Sequence, residues 1–378
     1  MDKQQVLVLG AGYAGLMAAL RLAPHTRVTL VDPSTVFTER IRLHERAAGR
    51  PDVTRPLEVL TRRAGLVHVA ARATGIDPAA RRITTDDGRR LPYDRLVYAL
   101  GSRTPGPGER AYTPETAAEL HKRLLDGSGA LTVVGGGLTG IELAAEIAES
   151  QRAWQVRLVI GGEIGTGLSA KGRAHVRTTL TGLGVRIEEG RRVAGPEDVD
   201  ADAVVWATSM TANTALAEAA GIALDPSGRI RVDDALRSVS HPEIYAVGDA
   251  AAMATAAAGP LRMACATALP AGVHAASSII AETRGRQPEP LRFRSWMQCV
   301  SLGRRDGLIQ LVRADDSARE RVLRGGPAAR VKEQVVRSTV SALRLAARRP
   351  GVVPFIPGMS GRGRTVAGRG GGRAGWRG

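Results

Sequence analysis

The sequence predicts an α/β fold: two Rossmann-like units, the second inserted in the first, with a smaller C-terminal region. Three observations predict it. A glycine turn, Gly10-Ala11-Gly12-Tyr13-Ala14-Gly15, follows the apolar run Val6-Leu7-Val8-Leu9 and opens a helical pattern. A second, Gly135-Gly136-Gly137-Leu138-Thr139-Gly140, follows Leu131-Thr132-Val133-Val134 in the same way. Far downstream, Ile244-Tyr245-Ala246-Val247-Gly248-Asp249 carries a short apolar run into a Gly-Asp pair. Strand, glycine turn and helix in this order place free backbone N–H groups of a helix N-terminus where a pyrophosphate can sit. Two such units and a distant Gly-Asp pair point to two dinucleotides held face to face.

In the first unit Gly10 allows the tight turn, Gly12 the approach of backbone to pyrophosphate, and Gly15 close packing of helix on strand. Ala11, Tyr13 and Ala14 complete that cradle. Arg27-Val28-Thr29-Leu30-Val31 reads as the next strand, and Asp32 closes it as the acceptor for the ribose hydroxyls. A β-rich stretch follows, with a turn at Asp86-Asp87-Gly88 and a strand, Leu96 to Leu100, ending in Gly101-Ser102. Pro105 and Pro107 make the crossing linker, so the first part of this domain spans 1–107.

The second unit spans 108–240. Its second strand is Gln155-Val156-Arg157-Leu158-Val159, and the position where an acid would sit is Ile160. Gly161, Gly162 and Glu163 follow, which makes Glu163 the nearest carboxylate. No arginine comes directly after the strand to meet a 2′-phosphate, which favours NADH over NADPH. The unit ends near Ala203-Val204-Val205-Trp206-Ala207-Thr208. Residues 241–290 return to the first domain with Gly248-Asp249 and a helix over Ala266–Glu282. Residues 291–350 form a third, interface-forming region. The Gly/Arg-rich tail, 351–378, is expected to be disordered.

At 378 residues the chain can bury more than one core. Its hydrophobic content of 43% suits a soluble globular protein. Two cysteines, Cys265 and Cys299, without a Cys-x-x-Cys, exclude a disulfide framework and an adjacent-cysteine redox centre. No metal site is expected. The chain runs from Met1 straight into the first strand, so no signal peptide is expected. Met263–Ala281 carries no formal charge but reads as a buried helix, since it holds Pro270, Gly272 and His274.

Charge is uneven. Residues 291–378 hold 19 Lys/Arg against 5 Asp/Glu, which is +14 of the total +16. Within 328–349, Arg330, Arg337, Arg344 and Arg348 fall on one helical stripe, while Val335, Val336, Thr339, Val340, Leu343, Ala346 and Ala347 occupy much of the other side, interrupted by Lys332. Two readings stand: a basic amphipathic helix touching an anionic membrane, or a helix packed on the protein's own body with its arginines solvated.

The phrases GAGYAG, YDRLVYALGS, GGGLTGIELAAE and IYAVGDAA, with a weaker SLGRRDGL, cover roughly residues 4–310. Their order resembles the two-dinucleotide-binding-domain flavoproteins, the FAD/NAD(P)-dependent pyridine nucleotide oxidoreductases. It is most similar to their type II NADH dehydrogenase and apoptosis-inducing-factor-like group. The resemblance implies a glutathione-reductase-like fold with FAD on the first unit and NAD(P)H, as co-substrate, on the second. Gly10, Gly12, Gly15 and Asp32 match the FAD pyrophosphate and ribose site, and Gly248 with Asp249 match the pair that holds the ribityl chain. Ala99, Leu100 and Gly101 match an Ala-Thr-Gly-like turn. Arg42 lies where relatives approach the flavin, and Ala73 and Ala268 are assigned to the same site. Gly135, Gly137, Gly140 and Glu142 match the nicotinamide site, with Glu142 as the candidate catalytic residue. His44 and His274 are read as structural.

Two departures accompany the resemblance. Ala266 stands where type II NADH dehydrogenases usually place the Gln of an Ala-Gln pair, and membrane-anchoring C-terminal helices are not plainly present. The activity implied is hydride transfer from NAD(P)H to flavin N5, then electron transfer to a quinone or similar acceptor. N–H groups at the start of the Ala266–Glu282 helix would face negative charge near flavin N1 and O2. The alternatives are a reductase of a small ferredoxin- or rubredoxin-type protein, and a flavin-based redox sensor binding nucleic acid through the basic tail. Aromatics there are confined to Phe355 and Trp376, which disfavours nucleic acid. The protein is expected in the cytoplasm or peripherally on the inner face of the cell membrane, with a homodimer as a further expectation.

Overall fold

The computed structural model describes residues 3–50, 53–106, 111–352 and 358–359. The expectation of a disordered tail falls almost wholly outside them. Two five-stranded parallel sheets dominate. The first has the order Val67–Val69, Arg27–Val31, Gln5–Leu9, Arg95–Tyr98, Ile244–Ala246. The second has the order Arg186–Glu189, Trp154–Ile160, Gly129–Val134, Ala203–Trp206, Ala111–Tyr112. The fifth strand of the first sheet comes from beyond residue 240, so the whole second sheet is an excursion from the first.

The central strands are continuous apolar runs because helices cover both faces. Val6 to Leu9 and Leu131 to Val133 are completely buried. The helix Tyr13–Leu22 is buried along its full length. It packs against Cys265–Thr283, where a β-carbon on Gly272 would strike the Ala14 carbonyl oxygen. That close crossing brings the N-terminus of the Cys265–Thr283 helix to the first glycine turn.

A three-stranded antiparallel sheet (Ala73–Asp77, Arg82–Thr85, Arg90–Pro92) fills out the first unit. The C-terminal region is a second such sheet, Met297–Ser301, Gly307–Val312 and Ala318–Arg324, followed by the long helix Gly325–Arg348. Val340, Ala342, Leu343, Ala346 and Ala347 of that helix join the core of the first unit. Arg330, Arg337, Arg344 and Arg348 are exposed. The apolar side of the helix is therefore satisfied by the protein's own body. Among the described residues, no helix is long and apolar enough to cross a membrane.

A cleft shared by both nucleotide-binding units

Gly10 has φ +96°, a value that favours glycine, and a β-carbon there would meet the Ala99 carbonyl. A β-carbon on Gly15 would collide with the carbonyl oxygen of Gly10. Gly135 (φ +127°) and Gly140 repeat both constraints against Ala207 and Gly135. The middle glycines differ. Gly12 and Gly137 are N-caps of their helices, and nothing lies within 4 Å of a β-carbon added at either. No neighbour within the described chain requires glycine at either cap, and each leaves its helix N-terminus open, a geometry that suits an anion.

A cleft of roughly 680 Å³ runs from the first of these turns across the molecule. Gly10 to Ala14, Asp32, Ala99 to Ser102, Gly248, Asp249 and Cys265 to Ala268 line it from the first unit. Leu138, Thr139, Glu142, Ala207 and Thr208 line it from the second unit, and Trp296 to Cys299 with Lys332, Val335, Val336, Ser338 and Thr339 line it from the C-terminal region. Asp32 closes its strand and accepts from Ala11 N at 2.7 Å and Ser34 N at 2.8 Å. Asp249 accepts from Ser102 Oγ at 2.6 Å, but its Oδ1 is buried with no partner. A buried acceptor without a donor is costly in the protein alone. This orphaned oxygen, the open Gly12 cap and the elongated cleft fit a bound FAD.

An ion pair stands on the wall of the cleft. Glu142 Oε1 lies 2.8 Å from Lys332 Nζ and also accepts from Ser301 N at 3.0 Å. Lys332 Nζ donates further to the Cys299 carbonyl at 3.3 Å. Burial works to raise the Glu142 carboxyl, but the Lys332 ammonium, helped by the Ser301 N–H, outweighs it and holds the group below the usual carboxylate range. Burial likewise works against the Lys332 ammonium, and Glu142 reverses the effect, so the amine is held above its usual value. Both members are thus charged near neutral pH. His44 Nδ1 sits 3.9 Å from Glu142 Oε2, while His44 Nε2 is buried without a partner. Burial lowers the His44 imidazole, so the ring is neutral. Cys265 and Cys299 line the cleft as free thiols; burial pushes Cys299 up to about 11 and raises Cys265 as well.

Several expected positions lie elsewhere. Arg42 does not line the cleft. Its buried guanidinium is held by Glu39 at 3.1 Å, Glu45 at 2.8 Å and Glu333 at 2.9 Å, which leaves nothing free to face a flavin. Ala73 opens the small antiparallel sheet and is also off the cleft. Gly15, Gly135, Gly137 and Gly140 shape the turns without lining this cavity. Ala268 and Gly101 do line it, as does Ala266. His274, at 3.1 Å from the Asp234 carbonyl oxygen, stands away from the cleft. Lys332 and His44 were not assigned from sequence. In sequence Lys332 shows only as an intrusion on the apolar side of its helix, and His44 is read as structural; neither is placed at the site there. Among the described residues no group of three or more His, Cys, Asp or Glu could hold a metal ion.

Two parallel-sheet units with paired glycine turns around one cleft define a dinucleotide-dependent oxidoreductase. Residues 4–277 match the pyridine nucleotide-disulphide oxidoreductase family, and the chain belongs to it. An NADH dehydrogenase-like protein of Mycobacterium tuberculosis is 30% identical over 375 residues, covering 88% of this chain and 92% of that protein. A type II NADH:quinone oxidoreductase of Staphylococcus haemolyticus is 26% identical, covering 81% and 89%. Among solved structures, the sulfide:quinone oxidoreductase of Aquifex aeolicus shares the fold, with a TM-score of 0.76 at 18% identity, over 91% of this chain and 92% of that one. The chain is an oxidoreductase, with FAD as its cofactor and NAD(P)H as co-substrate.

Proposed function

We propose that this chain is an NAD(P)H dehydrogenase that passes reducing equivalents through FAD to a quinone or similar small acceptor. The observation that carries this reading is the single cleft lined by both nucleotide-binding units and closed by a third, C-terminal wall. FAD supplies the hydride and electron chemistry when bound. The protein's share is binding, orientation and proton handling. Asp32 and Asp249 offer acceptors to ribose and ribityl hydroxyls, and the Gly12 cap offers N–H groups to the pyrophosphate. The N–H groups of Cys265 and Ala266 open a helix N-terminus to the cleft, while Thr267 N and Ala268 N donate back to the Ala264 carbonyl, and this end of the helix favours negative charge. Leu138 and Thr139 in the first turn of the second unit's helix, and Glu142 one turn further on, face the cleft where a nicotinamide would lie. Quinone reduction takes up protons as well as electrons. Lys332 holds a proton at Nζ on the wall of the cleft, kept charged by Glu142.

Anaerobic mixing with each nicotinamide, followed by reoxidation with menadione, ferredoxin or oxygen, tests this. Bleaching of the flavin and rapid reoxidation by menadione are expected. Absence of bleaching, or reoxidation by ferredoxin alone, refutes the reading.

Peripheral contact with an anionic membrane is proposed in a reduced form, through the exposed arginine stripe of Gly325–Arg348 without insertion of its apolar face. Co-sedimentation with anionic vesicles should then be weak and abolished by modest salt. Salt-resistant binding would show that an apolar surface inserts.

A further inference from the structure

The two nucleotide-binding units can be superposed residue by residue through their hydrogen bonds. Gly10 N donates to Val31 O at 2.9 Å, and Gly135 N donates to Val159 O at 2.9 Å. Asp32 therefore corresponds to Ile160. In the first unit the Asp32 carboxylate caps Ala11 N. In the second, Ile160 is buried and its side chain packs where a β-carbon on Gly136 would be. The ribose-reading carboxylate of one unit is replaced by a hydrocarbon in the other.

The corner beyond Ile160 is basic. Gly161 and Gly162 are exposed and carry no side chain. The loop after the strand Arg186–Glu189 runs alongside them: Arg191 N donates to Ile160 O at 3.0 Å and Gly190 N to Gly162 O at 3.1 Å. This pins Arg192 beside Gly161, where a β-carbon would lie 3.2 Å from Arg192 Cγ. The other charges of the corner are committed. Glu188 binds Arg157, Arg186 and Arg191; Glu189 binds Arg177 and Ile164 N; Glu163, on a side chain two-thirds exposed, lies nearest Arg173 at 3.7 Å. Among the described residues no ion pair or side-chain hydrogen bond engages Arg192.

We propose that Arg192, set against Gly161 in the place where the second unit lacks a ribose-binding carboxylate, forms a site for the 2′-phosphate of NADPH, and that this makes NADPH the preferred hydride donor. A carboxylate at the end of this strand would accept from the ribose 2′-hydroxyl and repel a phosphate; a free guanidinium does the opposite and offers a planar fork to phosphate oxygens. The sequence favours NADH because no arginine directly follows the strand; Arg192 reaches the corner from a loop 32 positions beyond Ile160, which the linear spacing does not reveal. The inference rests on the second unit being the nicotinamide site, as the proposed function requires.

The decisive measurement needs no turnover. Titration calorimetry on the FAD-loaded protein compares 2′,5′-ADP with 5′-AMP. The wild type should bind 2′,5′-ADP more tightly by about ten-fold or more, the preference should vanish in Arg192→Ala, and Arg192→Lys should restore part of it. In stopped-flow reduction, the NADPH-to-NADH ratio of rate constants should fall by a similar factor in Arg192→Ala. A wild type that binds 5′-AMP as well as 2′,5′-ADP, or a ratio unchanged in Arg192→Ala, overturns the proposal. If neither nicotinamide bleaches the flavin while 2′,5′-ADP binding still depends on Arg192, the dehydrogenase reading fails and the phosphate site stands.

Discussion

Breaking the Glu142–Lys332 pair should cost far more than an ordinary surface ion pair. At 2.8 Å the two charges attract by about 6 kcal/mol for an effective dielectric constant of ~20. Desolvation offsets much of that, yet a buried charge left alone is worse than either the pair or its absence, and removing one partner of such a pair costs about 3–5 kcal/mol. Lys332→Met deletes the cation and strands a carboxylate that retains only Ser301 N. Glu142→Gln keeps a polar group at Ser301 N but strands the ammonium, which retains only the Cys299 carbonyl. The double variant strands neither charge. Urea unfolding of the FAD-loaded proteins should therefore give a double-mutant loss smaller than the sum of the single losses by about 2 kcal/mol or more. The Lys332→Met variant carries a second signature. Without the cation, burial is free to raise the Glu142 carboxyl, so menadione-dependent flavin reoxidation should acquire a pH dependence absent from the wild type. Additive losses, within about 0.5 kcal/mol, would show that the two groups do not depend on one another, and the proton-holding role of Lys332 would go with them.

The remaining expectations are simpler. Asp249→Ala should weaken FAD retention on gel filtration and leave the protein pale, because it removes the buried Oδ1 that has no protein partner; full retention of FAD would contradict the ribityl assignment. Gly137→Val should fold normally, since open space surrounds the added side chain, and should block flavin reduction by nicotinamide while FAD stays bound. Gly140→Ala should instead lower the melting temperature, because its β-carbon meets the Gly135 carbonyl; equal melting temperatures for the two variants would refute the distinction. Burial, opposed by Arg304 at 2.6 Å, raises the Glu146 carboxyl to about 7. A carboxyl raised above its unfolded value of 4.5 contributes stability that is full below that value and is lost as pH climbs through about 7, up to about 3 kcal/mol. Glu146→Gln should flatten the fall in urea stability between pH 5 and pH 8, and an unchanged slope would count against it.

Much of the first unit was legible in the linear chain because its chemistry is local. Gly10, Gly15 and Asp32 lie within one strand–turn–helix–strand stretch, where backbone geometry alone demands glycine and a strand end places the acid. Gly135 and Gly140 were legible for the same reason, whereas Gly137 was legible only from its place in the motif. Asp249 needed a motif, since its role depends on a strand returning beside Arg95–Tyr98 from a distant part of the chain.

Tertiary structure decided the rest. Arg42 looked available from its position in sequence, but three carboxylates, one of them from the C-terminal helix, neutralise it. Lys332 interrupts an otherwise apolar helical side, a fault in the pattern until Glu142 is seen opposite it. The apolar stripe of that helix fitted a membrane as well as a protein core; only the packing of Leu343 and its neighbours chose the core. Arg192 stands on a loop whose proximity to Gly161 follows from the pairing of Arg186–Glu189 with Trp154–Ile160. Periodicity and turn chemistry act over a few residues and are written along the chain. Charge compensation and burial act through space, and they acquire their partners only when the sheets are assembled.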